Sequence, residues 1–249
     1  MKLRLNVINL PSRQDRRTQF SAWNARPGIE IAFVDAVRGA DVDRAALVRE
    51  HVLDPTFELS DGALGNALSN RGLWLEARHA AEPLVVCEDD ACLRGDFVQR
   101  AEAAIDQAGA DWDIIFFGYN TNATVAVEGN DGLKTLLHFD EAAKREPGYF
   151  DGFTRLSAPP PALLRCYQAW GTLCYAISPK GADVLLEACF PLSANTKIVM
   201  FGQNRLLAPY TLDGMINVAL QRSRVASFCC FPPLAVSSND VASSDVVSR

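Results

Sequence analysis

Three adjacent carboxylates, Glu88, Asp89 and Asp90, follow directly on the apolar run Leu84-Val85-Val86-Cys87. A short apolar run that meets a polar cluster reads as a buried strand ending in a turn. Side chains alternate faces along a strand, so Glu88 and Asp90 are predicted to point one way and Asp89 the other. Two carboxylates on one face repel and hold their protons more tightly, unless a hard divalent cation takes them as oxygen ligands. In open α/β sheets ligands gather beyond the carboxyl ends of the strands, where this triplet sits. The competing reading is a solvated turn in which Asp89 or Asp90 caps the next helix. Cys87 and Cys92 bracket the triplet, but no CxxC or Cys-x-x-His elsewhere completes a zinc site.

The elements that must position these groups alternate along the first half of the chain. Leu3 to Leu10 reads as a strand ending at Pro11-Ser12, followed by a helix from about Gln14 to Asn24, a strand from Ile29 to Ala36 and a short helix from Arg44 to Glu50. Ser60 precedes one long predicted helix, Asp61 to Ala81, which Pro83 stops. After the triplet come a helix from Asp96 to Ala108, with Asp96 as its N-cap, and a strand from Trp112 to Phe117. This alternation predicts an α/β fold with a single mixed, mostly parallel sheet flanked by helices. Periodicity fails over about residues 119–165, which hold Pro147 and Pro159-Pro160-Pro161 and read as an irregular insertion, a lid or acceptor-side loop. Beyond it a strand from Gly171 to Ile177, a helix opened by Ser178-Pro179, a short helix from Leu212 to Gln221 and a strand from Val225 to Phe231 are predicted. Residues 1–235 read as one domain and 236–249 as a loosely ordered tail.

Composition narrows the partners. With 249 residues, 49% hydrophobic, the chain is long enough to bury a substantial core without disulfides or structural metal. Its net charge of -6 argues against duplex nucleic acid as a partner, since phosphate binding needs a concentrated basic face. No apolar run reaches the length of a membrane span, and the opening MKLRLNVINLPSRQDRR is polar too early for a signal peptide, which points to a cytoplasmic protein. Seven irregularly spaced cysteines, Cys229 and Cys230 among them, fit buried reduced thiols better than a disulfide framework.

Several stretches, in order, resemble glycosyltransferase family 25, the lipooligosaccharide and collagen sugar transferases. Val7-Ile8-Asn9-Leu10 with Arg13, Asp15, Arg16 and Arg17 is similar to the family's opening strand and basic turn, and Val34-Asp35-Ala36-Val37-Arg38-Gly39 to its second strand end. Gly62 to Arg71 lies where the family carries a Gly-Cys-x-x-Ser-His helix, and Val85 to Ala91 resembles its Glu-Asp-Asp signature. Trp112-Asp113-Ile114-Ile115, Gly171-Thr172 with Tyr175 to Ser178, Lys180-Gly181-Ala182 and Leu212-Asp213 follow in the family's order.

The resemblance implies a GT-A type fold, a UDP-sugar donor, a saccharide or glycan acceptor, a divalent cation such as Mn²⁺, and inversion at the anomeric carbon. It implies cation ligands at Glu88 and Asp90, and donor-binding roles for Asn9, Arg13, Arg16, Asp35, Ser69, Asn70, Glu88 and Asp89. Arginines near the first strand suit phosphate, although a solvated helix face is their other reading. Inversion needs a base on the acceptor hydroxyl, and Asp213 is the candidate; an N-cap or first-turn acid and a further metal ligand are its alternatives. Two positions depart from the family pattern: Asn66 replaces its cysteine and Asn70 its histidine, removing a titratable group. That departure raises a second function, a nucleotide-sugar or glycan binding protein of the same fold with lost or altered catalysis.

Overall fold

A computed structural model describes residues 2–130, 132–222 and 224–238; residues 239–249, most of the expected tail, lie outside the described residues. The chain opens with β1 (Leu3–Asn9), α1 (Gln14–Asn24) and β2 (Ile29–Asp35), close to the predicted spans. Helix α2 (Arg44–Arg49) begins at Asp43, whose carboxylate accepts from the Ala45 and Ala46 N–H groups. Helix α3 (Asp61–Ala77) begins at Ser60, whose hydroxyl accepts from Ala63 N–H, and it stops short of the predicted Ala81. Strands β3 (Leu84–Glu88) and β4 (Cys92–Leu93), helix α4 (Phe97–Ala108) and strand β5 (Ile114–Gly118) follow. Asp96 stands at the N-cap of α4 as expected, but its side chain does not cap the helix. It accepts from Arg94, Arg100 and the Ala158 N–H, because two guanidinium groups hold a carboxylate more strongly than one neutral amide does.

The segment predicted to be irregular is built structure. It holds the hairpin of β6 (Val125–Glu128) and β7 (Lys134–Leu137), helix α5 (Tyr149–Phe153) and strand β8 (Ala162–Gln168). Four-residue strands are too short to show a period, and the proline run ends just before β8, so turn residues mask the strands. The remaining elements are β9 (Cys174–Ile177), α6 (Pro179–Cys189), β10 (Ile198–Met200), β11 (Arg205–Leu207), α7 (Leu212–Gln221), β12 (Ser227–Phe231) and β13 (Ala235–Val236). Ser178 caps α6 through Gly181 N–H, with Pro179 in the first turn as predicted.

One 11-stranded sheet runs β2-β1-β3-β9-β5-β12-β8-β6-β7, with β4 and β13 off that path. β1 is parallel to β2 and β3, and β5 is parallel to β12; β9 lies antiparallel between β3 and β5. β8 turns back against β12 and carries the β6–β7 hairpin to the far edge. The result is the α/β architecture expected, a mixed, mostly parallel sheet with helices on both faces. Alternation along β5 divides its side chains between two cores. Ile114 and Phe116 join Leu64, Trp74, Leu185 and Ile216 under α3, α6 and α7, while Ile115 and Phe117 join Phe20, Phe97 and Ala101 under α1 and α4. All seven cysteines are buried free thiols. No helix among the described residues is long and apolar enough to cross a membrane.

Candidate active site

The carboxyl ends of β1 and β3, the amino-terminal half of α3 and the turn before β9 face a common cleft of about 850 Å³. Ile8, Glu88, Asp89, Asp90, Asn66, Ser69, Thr172 and Asp213 all line it. The segment predicted to be irregular lines it too, through Asn120 to Thr124, His138 and Phe139, as do Trp170 and Tyr210. Those wall residues are the functional candidates that sequence reasoning missed. The short strands that place them carried no periodic signal, so only the tertiary fold brings them to the carboxylates.

Strand β3 ends at Glu88, and Asp89 and Asp90 belong to the following turn. Alternation therefore separates Glu88 from Asp89, but the turn rather than the pleat sets Asp90. Glu88 Oε1 accepts from Thr172 Oγ1 at 2.5 Å and Asn66 Nδ2 at 3.1 Å. Asp89 reaches the other way, accepting from Asn9 Nδ2 at 2.7 Å and Arg16 Nη1 at 2.9 Å. Asp90 Oδ1 is enclosed by protein with no hydrogen-bond partner among the described residues. Burial, then the charge of Asp90, pushes the Glu88 carboxyl up to about 7. Burial likewise raises Asp90, while Arg16 works against it.

The donor-binding candidates divide. Arg16 and Ser69 line the cleft. Ser69 donates to Gly65 O and accepts from Val37 N–H, which ties α3 to the segment after β2. Asn9 is buried behind the triplet and touches the site only through Asp89. Arg13 does not line the cleft; it grips Asp15 with two bonds, at 3.0 and 2.9 Å, and holds that carboxyl down to about 2. Asp35 is exposed at the end of β2, outside the cleft, 3.8 Å from Arg17. Asn70 is fully buried beneath Asn66 and accepts from Tyr175 Oη at 2.7 Å. A basic turn on a helix scatters its arginines around the axis, and only the one facing Asp89 meets the site.

Asp213 sits in the first turn of α7, where Thr211 is the N-cap residue. Its Oδ2 accepts from Gly171 N–H at 2.7 Å, and its Oδ1 accepts from Gly214 N–H at 2.9 Å and from the Thr211 hydroxyl. An ionised carboxylate has about four acceptor sites, so Oδ2 keeps one for a substrate hydroxyl. Lys144 is a cation the sequence did not single out. Its Nζ donates to Thr121 Oγ1 at 2.6 Å, Glu141 Oε1 at 2.7 Å and Ser237 O at 2.8 Å, and its charge reaches Asp90.

The donor set can be tested against a cation. Among the described residues no group of three or more His, Cys, Asp or Glu side chains could hold a metal ion by itself. Two adjacent carboxylates, one with an unpartnered oxygen, instead match the manner in which hard cations are shared between one or two protein carboxylates, substrate phosphates and water.

Comparison with known proteins gives the chain's family. The model of glycosyltransferase family 25 (LPS biosynthesis protein) matches residues 3–200. Procollagen galactosyltransferase 1-B of Xenopus laevis is 26% identical over 194 residues, 73% of this chain and 28% of that protein. Procollagen galactosyltransferase 2 of Homo sapiens is 26% identical over 194 residues, 73% and 27% of the two chains. A glycosyltransferase 25 family member of Drosophila melanogaster is 28% identical over 144 residues, 52% and 24% of the two chains. The chain spans about a quarter of the length of these curated relatives. It belongs to glycosyltransferase family 25.

Proposed function

We propose that this glycosyltransferase moves a hexose from a UDP-sugar to a hydroxyl of a saccharide or glycan acceptor, with inversion at the anomeric carbon. A divalent cation, Mn²⁺ in the first instance, is held by Glu88 and Asp90. The observation that carries the reading is the enclosed, unpartnered Oδ1 of Asp90 beside Glu88 on the cleft wall, a site where both carboxyls resist ionisation. When bound, the cation supplies positive charge against the diphosphate that leaves as the glycosidic bond breaks. Arg16, already on Asp89, lines the same cleft and can add a charge-assisted contact to phosphate. Asp213 Oδ2 holds the proton of the acceptor hydroxyl, on the side of the cleft toward Gly171. Galactose transfer is what the names of two relatives state, in keeping with a hexose donor.

Thermal denaturation tests the reading directly. Mn²⁺ with UDP raises the melting temperature of the wild type, and Asp90→Asn removes that rise. An unchanged wild-type melting curve overturns the proposal. Slow hydrolysis of a UDP-hexose, screened across glucose, galactose and their N-acetyl forms, identifies the donor.

A further inference from the structure

The two asparagines that depart from the family pattern are consecutive links in one buried series of hydrogen bonds that ends on the cleft. Trp74 Nε1 donates to Tyr175 Oη at 2.8 Å, and Tyr175 Oη donates to Asn70 Oδ1 at 2.7 Å. Asn70 Nδ2 then faces Asn66, with contacts of 2.9 Å to its backbone oxygen and 3.4 Å to its Oδ1. Asn66 Nδ2 donates to Glu88 Oε1 at 3.1 Å. Trp74, Tyr175 and Asn70 have no solvent exposure, and none of the three lines the cleft. The direction of donation is set by chemistry at both ends. An indole N–H only donates, so the Tyr175 hydroxyl must give its proton to Asn70 Oδ1, which turns Asn70 Nδ2 toward Asn66.

We propose that Asn66 is a positioning residue for Glu88, held in orientation by the series Trp74–Tyr175–Asn70, and that this series fixes the Glu88 carboxylate so that its Oε2 faces the cleft. Oε1 is saturated by Asn66 and Thr172, while Oε2 has no hydrogen-bond partner among the described residues, and Glu88 lines the cleft. Neutral amides suit this task, because they orient the carboxylate without cancelling the negative charge a cation needs. Asn70 Nδ2 meets Asn66 at its backbone oxygen and, at 3.4 Å, at its Oδ1, which favours the Asn66 rotamer with Nδ2 toward Glu88. The inference rests on the reading of Glu88 as a cation ligand for its consequence, though not for its geometry.

Two measurements test it, one without metal. In the proton–nitrogen spectrum of the metal-free protein, the Trp74 indole resonance, assigned by its loss in Trp74→Phe, shifts in both Asn66→Ala and Glu88→Gln. Both changes fall on partly exposed cleft residues, which keeps the core intact. An indole resonance unmoved by either substitution overturns the proposal. In the second measurement, calorimetric titration with Mn²⁺ and UDP, Asn66→Ala weakens binding by about tenfold or more. Tyr175→Phe, remote from the cleft, weakens it by about fivefold. The double variant binds no more weakly than Asn66→Ala alone, because both changes break one series. Losses that multiply overturn the proposal. A wild type that binds no Mn²⁺ while its indole resonance still responds sinks the cation reading and leaves the positioning of Glu88 supported.

Discussion

Glu88 and Asp90 lie side by side in a place that suits neither as an anion, and the pH dependence of stability should show it. The Glu88 carboxyl rises from an ordinary 4.5 to about 7, through burial first and Asp90 second. Between those values Glu88 binds more proton in the folded protein than in the unfolded chain, so its contribution to stability is full below about 4.5 and is lost as pH rises through about 7. Glu88→Gln removes this contribution. In chelator-treated protein, the difference in melting temperature between wild type and variant should therefore move in the variant's favour from pH 5 to pH 7.5; a constant difference refutes the shift. The triplet was legible as a candidate site because it follows the carboxyl end of a predicted strand, while a solvated, helix-capping turn was its other reading. Which arginine serves it was not legible. Arg13, Arg16 and Arg17 share composition and neighbourhood, and only the rotation of α1 turns Arg16 to Asp89 while Arg13 closes on Asp15.

At the scale of elements, the site depends on how closely α3 approaches the segment after β2. A Cβ at Gly65 would stand 2.3 Å from Val37 O and 3.0 Å from Gly39 N, and one at Gly39 would stand 1.9 Å from Asp61 O. Two glycines facing each other allow this backbone contact, which sets Ser69 against Val37 and Asn66 against Glu88 of β3. Gly65→Ala should lower the stability by about 1–3 kcal/mol, as overpacking does, seen as a lower urea midpoint with an unchanged slope. A midpoint equal to wild type would show that the helix can shift aside without penalty. Start signals read well here, since Ser60 and Ser178 cap the helices they precede. Asp96 did not cap its helix, because Arg94 and Arg100 compete for it from within a few residues, and a propensity rule cannot weigh that competition.

Over the whole molecule, the cleft is closed by chain segments far apart in sequence, and Lys144 fastens them. It links Thr121, Glu141 and Ser237 within reach of Asp90. Lys144→Met should cost about 2 kcal/mol in chemical denaturation, the scale of a lost charged hydrogen bond, and should weaken UDP binding measured with Mn²⁺ as the wall around Thr121 loosens. Full donor affinity in that variant would show that the wall holds its shape without the lysine. The sequence by itself determined the α/β class, the helices and parallel strands of the first half, and the place of the acidic triplet at the end of a strand. Local periodicity and capping are encoded within a few residues, and strand-end carboxylates follow from the order of elements. Only the tertiary structure decided that β9 runs antiparallel between β3 and β5, and that Asn120 to Thr124, His138 and Phe139 line the cleft. It also decided that Asn66 and Asn70 stand in one line with Trp74 and Glu88. Strand direction, short edge strands and side-chain hydrogen bonds across 100 residues, as between Trp74 and Tyr175 at a separation of 101, depend on partners that no local pattern specifies.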